Sequence, residues 1–118
     1  MCHGDPGDPV HRVCLIGSDG RVVKSYGGQK GSGTLQMNVP AHLAVDRNGF
    51  VFVADVINDR VLLLSPALSF VREVLSREQV RWTPERLWLD SDRRRLYVTV
   101  SEVKHGKSTA GRVVVVSV

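Results

Sequence analysis

Cysteine is scarce in this sequence, and no hydrophobic run is long. The 118 residues include only two cysteines, Cys2 and Cys14, which are too few for a disulfide scaffold. The longest uncharged apolar runs, such as residues 61–64 and 113–116, are far shorter than the roughly 20 residues of a membrane-spanning helix. The first nine residues contain no apolar stretch of the kind that a secretory signal peptide requires. These absences predict a chain that does not cross a membrane and that resides in the reducing cytoplasm.

The composition is that of an ordinary globular domain. Hydrophobic residues make up 42% of the chain and charged residues 24%, a balance that argues against a disordered chain. The formal net charge of +4 permits an acidic partner without requiring one. The length suffices for one domain and not for two.

The sequence repeats itself at an interval of 44 to 52 residues. Residues 40–46 (PAHLAVD) recur 44 residues later as residues 84–90 (PERLWLD), and each copy is followed by a polar turn and an apolar run. An arginine followed by three apolar residues occurs three times, beginning at Arg12, Arg60 and Arg112. Four short strands per unit at such a period are typical of a β-propeller.

The local chemistry of each unit favours strands. Valine is abundant, and β-branched side chains suit a pleated sheet better than a helix. Asn48-Gly49 lies between two apolar runs and is typical of a tight hairpin. The inner runs are apolar without alternation, which indicates strands buried on both faces by neighbouring sheets. A β-sandwich also has short strands with regular turns, but it does not predict a repeating unit with the same landmark residues.

Residues 38–61 resemble an NHL repeat. They contain that family's landmarks in order: a proline, an apolar strand ending in aspartate, a glycine turn, an aromatic-valine-alanine-aspartate strand, and an asparagine followed by arginine and valine. The resemblance covers residues 11–118 and implies an all-β fold, a partial NHL-type β-propeller. The landmark residues in this sequence are Asp46, Gly49, Asp55, Asn58, Arg60, Asp90 and Arg112.

The resemblance divides the chain into five segments. They are an irregular N-terminal tail at 1–10, the last two strands of a blade at 11–28, a glycine-rich connector at 29–39, a complete NHL blade at 40–76, and a degenerate third blade without its outer strand at 77–118. This amounts to about two and a quarter four-stranded antiparallel blades, which one chain cannot close into a ring. We therefore expect a fragment of a larger propeller protein.

The middle unit predicts one ion pair. Asp55 ends its second strand and Arg60 begins its third, so a tight loop brings the two side chains together. We expect this pair to hold the loop rather than to contact a ligand. The third unit has Thr99-Val100 at the position of Ala-Asp, together with a longer link over residues 104–111, so it lacks the pair.

No pattern of catalytic or metal-binding residues is recognised. Cys2, His3, His11 and Cys14 lack the spacing of a zinc site, and Cys14 is expected to be a small buried hydrophobic residue. The glycine-rich residues 27–33 lack the Gly-Lys-Ser/Thr ending of a phosphate-binding loop, and no Gly-x-Ser-x-Gly motif is present. We expect no enzymatic activity, no metal and no cofactor.

Basic residues are concentrated between residues 72 and 95, where seven arginines and two tryptophans occur. Five acidic residues in this window leave a net charge of +2, and Trp88 is expected in the core, so solvated loop charges are favoured over a nucleic-acid surface. In a propeller, the loops after the second and fourth strands share one face. The candidate binding residues on that face are Lys30, Arg77, Arg81, Lys104 and Lys107.

The resemblance also implies a function. NHL propellers mostly act as platforms that bind proteins or RNA, often in tripartite-motif ubiquitin ligases that carry a RING domain. The expected function is a non-catalytic binding module for protein or RNA. The alternatives are a remnant of a lyase-like propeller enzyme and a decayed fragment without independent activity. Exposed blade edges also favour self-assembly of the chain.

Overall fold

The fold is all-β. The computed structural model describes residues 2–3, 10–29, 31, 36–76, 83–104 and 107–118, with side chains described at 11–28, 31, 36–76, 83–101 and 111–118. These residues contain strands and no helix, and therefore no helix that could cross a membrane. The strands are β1 Cys2–His3, β2 Val10–Ile16, β3 Val22–Gln29, β4 Pro40–Val45, β5 Val51–Asp55, β6 Arg60–Leu64, β7 Phe70–Leu75, β8 Thr83–Asp90, β9 Arg95–Lys104 and β10 Lys107–Ser117.

The strands form three antiparallel sheets in chain order. The first sheet contains β1, β2 and β3, the second contains β4 to β7, and the third contains β8, β9 and β10. Within each sheet, every strand pairs with the strands that precede and follow it in the chain. In the turn between β4 and β5, Asp46 Oδ1 accepts the backbone N–H groups of Asn48 and Phe50 at 2.8 and 2.9 Å. Gly49 follows with a φ of 88°, a conformation that other residues rarely adopt.

The centre of the second sheet is buried on both faces. All five residues of β5 are buried, as its apolar run without alternation predicts. Phe52 and Ala54 belong to a core shared with the third sheet, whereas Val51 and Val53 belong to a core shared with the first. The residues facing them from the third sheet are Leu87, Leu96, Val98 and Val100; those from the first sheet and the connector are Val13, Tyr26 and Met37.

The outer face of the third sheet is exposed, which makes the expectation that Trp88 lies in the core wrong. Side chains alternate along β8, so Leu87 is buried toward the second sheet while Trp88 projects from the opposite face and is 62% exposed. Its indole lies against Tyr97, with 5.1 Å between ring centroids. No other sheet of the described residues covers this face.

Two segments contain more β-strand residues than we expected from the sequence. In the tail assigned to residues 1–10, β1 pairs with β2, with Cys2 opposite Val13 and His3 opposite Arg12. In the third unit, much of the link over residues 104–111 belongs to a long hairpin of β9 and β10, which tolerates an irregularity between Ser108 and Ala110. The pairing of Lys107 with Lys104 shows that both strands extend to this end of the hairpin.

Candidate functional site

Asp55 is the centre of a buried polar cluster. Its side chain is fully buried, and its Oδ2 accepts Arg60 Nε–H at 2.7 Å and Asn58 Nδ2–H at 2.9 Å. Its Oδ1 accepts the backbone N–H of Asn38 at 2.7 Å. The ion pair that the strand–loop–strand spacing predicts is therefore present, with two further donors that the sequence did not reveal.

This cluster attaches the connector before β4 to the loop between β5 and β6. Asn58 Nδ2 also donates to the carbonyl of Gly31 at 2.9 Å, and Arg60 Nη2 donates to the carbonyl of Gln36 at 2.7 Å. Backbone N–H groups of the same loop donate to the carbonyls of residues 38 and 39. Because every one of these partners is part of the fold, the cluster has a structural role.

Burial raises the pKa of the Asp55 carboxyl above its ordinary value of 3.8. Loss of solvation is the largest effect, and it outweighs the hydrogen bonds from Asn58, the Asn38 backbone and Arg60, which act in the opposite direction. A raised carboxyl pKa is a feature of many catalytic sites, but here the oxygens are occupied by three donors of the fold.

The residue that lies opposite the repeated arginine differs in each sheet. The first residue of the repeated arginine-apolar motif lies opposite His3 in the first sheet, opposite Asp55 in the second and opposite Val100 in the third. Arg12 Nε is buried and has no hydrogen-bond partner among the described residues. Arg112, on β10, is exposed. Within the described residues, only the second sheet places a carboxylate opposite this arginine.

Two histidines connect successive sheets. His11 is fully buried, and its Nδ1 accepts the backbone N–H of Val39 at 2.7 Å. His42 Nδ1 accepts the backbone N–H of Leu87 at 3.1 Å. Cys14 is buried, as expected. The described side chains contain no group of three or more His, Cys, Asp and Glu residues placed to hold a metal ion.

A groove of about 630 Å³ lies between the second and third sheets, at the end where the β4–β5 and β8–β9 turns meet. Its apolar lining consists of Phe50, Phe52, Leu63, Leu89 and Val118. Its polar rim consists of Asp46, Arg47, Asn48, Arg72, Ser91, Asp92 and Arg94. We call this feature the turn groove. It is a concave site of the size that ligands or short peptide segments occupy.

The charges of the turn groove are not balanced. Asp46 accepts hydrogen bonds within its own turn, and Asp92 forms an ion pair with Arg47. In the part of the chain that the structure describes, Arg72 on β7 and Arg94 in the β8–β9 turn form no ion pair. The groove thus combines an apolar floor with two guanidinium groups that form no ion pair, and three arginines against two aspartates give its rim a net charge of +1.

The described lining of the turn groove contains none of the predicted binding residues. Lys30, Arg77 and Arg81 lie outside the described residues. For Lys104 and Lys107 only the backbone is described, and it pairs the two residues at the end of the β9–β10 hairpin. The sequence drew attention to the arginine-rich window, but it could not show that residues 72 and 94 line one groove, because they lie on different sheets.

The remaining landmark, Asp90, acts locally. Its Oδ1 accepts the backbone N–H of Arg93 at 3.3 Å, and Arg93 Nη1 lies 3.8 Å from its Oδ2. Asp90 therefore orders the turn after β8, as Asp46 orders the turn after β4.

Comparison with known proteins returns no match, neither to a protein-family model nor to a curated protein.

Proposed function

We propose that this chain is a non-catalytic protein-interaction module that forms part of an NHL-type β-propeller, about two and a quarter blades in extent. The NHL resemblance of residues 38–61 is one support. A second is the four-stranded meander of the second sheet, which is stacked between two further sheets. The recurrence of an arginine at the same register position in all three sheets is a third.

The observation that carries an interaction function is the exposed outer face of the third sheet. A row of Trp88, Tyr97 and Val115 crosses its three strands, because the register places these residues opposite one another. Val113 lies in the next row, and Trp88, Val113 and Val115 are all more than half exposed. Contiguous exposed apolar surface of this kind marks sites of protein contact, and aromatic residues are enriched there.

A further sheet from a second copy of the chain is the occupant we propose for this face. The opposite face of the same sheet already packs against the second sheet through valine and leucine side chains, so sheet-on-sheet packing suits its geometry. Arg86 and Arg95 flank the aromatic pair in neighbouring rows, which is also a feature of sheets that stack RNA bases. The valines of β10 favour the protein partner, because they offer no stacking surface for bases.

Sedimentation velocity over a concentration series tests the proposal. We expect the wild-type chain to form species larger than the 13.0 kDa monomer. Trp88→Glu should shift it to monomer, because a carboxylate would be buried in the contact. The matched control is Ile57→Glu, the same apolar-to-acid change at an exposed position in the β5–β6 loop, and it should leave association unchanged. A wild-type chain that is monomeric at every concentration contradicts the proposal.

Anisotropy of a fluorescein-labelled single-stranded RNA distinguishes the RNA alternative. Binding that weakens steeply with salt and is lost in both Trp88→Glu and Arg86→Gln would show that the outer face takes RNA rather than protein. We expect no such binding.

A further inference from the structure

We infer that the turn groove binds an acidic peptide segment of a partner protein, with an apolar side chain on the groove floor and carboxylates at Arg72 and Arg94. The inference rests on the proposed interaction function and names a second surface with its own ligand chemistry.

The floor defines the apolar part of the ligand. Phe50, Leu63, Leu89 and Val118 are each partly exposed beside the buried ring of Phe52, so the groove presents aliphatic and aromatic surface to an incoming side chain. Removing this surface from water on binding is favourable in proportion to its area. The floor thus selects a ligand with an apolar side chain over a uniformly charged one.

The rim defines the charged part. Both aspartates of the rim already have partners: Asp46 holds its own turn, and Asp92 pairs with Arg47. Arg72 and Arg94 form no ion pair in the described structure, and the rim as a whole carries a net charge of +1. A guanidinium can bind a carboxylate through two parallel hydrogen bonds. This fixed geometry makes arginine more selective for carboxylates than the ammonium group of lysine.

The arrangement favours a peptide over a polyanion such as nucleic acid. A nucleic-acid surface gathers several cations along a continuous path, often with exposed aromatic rings for stacking. Here the paired Arg47 and Asp92 contribute no net charge, and the described lining offers one partly exposed aromatic ring, that of Phe50, while Phe52 is buried. Asn48 and Ser91 on the rim add neutral polar groups suited to peptide backbone.

Fluorescence anisotropy with defined peptides tests the inference. The probe is a short fluorescein-labelled peptide of aspartate and leucine. Its two controls are a peptide in which serine replaces leucine and a peptide in which lysine replaces aspartate. We expect binding of the probe alone, because only the probe matches both the floor and the rim.

Two variants test the rim. Arg72→Gln and Arg94→Asn should each weaken probe binding about two- to fivefold, the range of an exposed charge pair. Asparagine is chosen for position 94 because Arg94 has a φ of 53°, and asparagine tolerates this left-handed conformation. The matched controls are Arg86→Gln and Arg95→Gln, exposed arginines outside the groove, which remove the same charge and should leave binding unchanged.

Three results overturn the inference: no binding of the probe, equal binding of the serine peptide, or equal loss in the control variants. They are separable from failure of the proposed function, since the comparison of Trp88→Glu with Ile57→Glu in sedimentation reports on the outer face of the third sheet and not on the groove. If the chain associates but does not bind the probe, only the groove inference is wrong. If the chain is monomeric but binds the probe, the groove inference holds and the proposed assembly is wrong.

Discussion

Arg12 and Arg60 occupy the same register position in adjacent sheets, but of the two only Arg60 faces a carboxylate. Arg60 lies opposite Asp55, with 2.7 Å between Nε and Oδ2, whereas Arg12 lies opposite His3. Arg12 Nε is buried without a hydrogen-bond partner in the described part of the chain. The second sheet is therefore the unit in which the connector and the β5–β6 loop are held together by a complete polar cluster.

Replacing Asp55 by alanine should be strongly destabilising. The change leaves the Asn38 N–H, Asn58 Nδ2 and Arg60 Nε without their acceptor in a buried site. We expect the free energy of unfolding to fall by about 3 kcal/mol in urea denaturation. The matched control is Asp92→Ala, which breaks an exposed pair with Arg47 and should change stability by less than about 1 kcal/mol. Equal effects of the two substitutions would contradict the structural role of the cluster.

The raised pKa of Asp55 predicts the sign of a pH effect. Since the folded chain binds this proton more tightly than the unfolded chain, the contribution to stability is fully present below the unfolded pKa and is lost as pH rises through the folded pKa. The free energy of unfolding of the wild type relative to Asp55→Asn should therefore increase as pH falls from about 7 to about 4. Denaturation of both proteins across this range measures the difference. A decrease on acidification would show that the hydrogen bonds, rather than burial, dominate.

His11 should stabilise the contact between the first and second sheets through its Nδ1. His11→Phe keeps an aromatic ring but leaves the Val39 N–H without its acceptor, at an expected cost of about 1–3 kcal/mol in the free energy of unfolding. His11→Asn places an amide oxygen near the position of Nδ1 and should restore a large part of the loss, although it fills less volume. If His11→Asn lowers the free energy of unfolding as much as His11→Phe does, the hydrogen bond to Val39 is not the stabilising contribution of His11.

The regular part of the fold could be predicted because its signals are local. Continuous apolar residues in β5 indicated burial on both faces, and the spacing of Asp55 and Arg60 across a tight loop indicated their ion pair. Cys14, within an apolar run, is buried as expected. Each of these follows from strand periodicity and a short sequence separation.

The parts that depend on distant segments could not be predicted. Trp88 lies on β8, and the residues on the opposite face of that strand are in the core. Whether Trp88 is exposed depends on whether another sheet covers its face, and the periodicity of the strand does not reveal this. The turn groove combines Arg72 of the second sheet with Arg94 of the third, residues that only the packing of two sheets brings together. The three donors on Asp55 include a backbone N–H from the connector, which has no sequence signature.

Burial of β5 on both faces is the central claim, and paired substitutions on its two sides test it most directly. Phe52→Leu perturbs the core shared with the third sheet, and Val53→Ala perturbs the core shared with the first. In urea denaturation we expect losses of about 1 kcal/mol and about 2 kcal/mol, respectively, while Val45→Ala, at an exposed position of β4, should change stability little. A sheet with one solvated face would make one of the two β5 substitutions as harmless as the Val45 control, and that result would contradict the account.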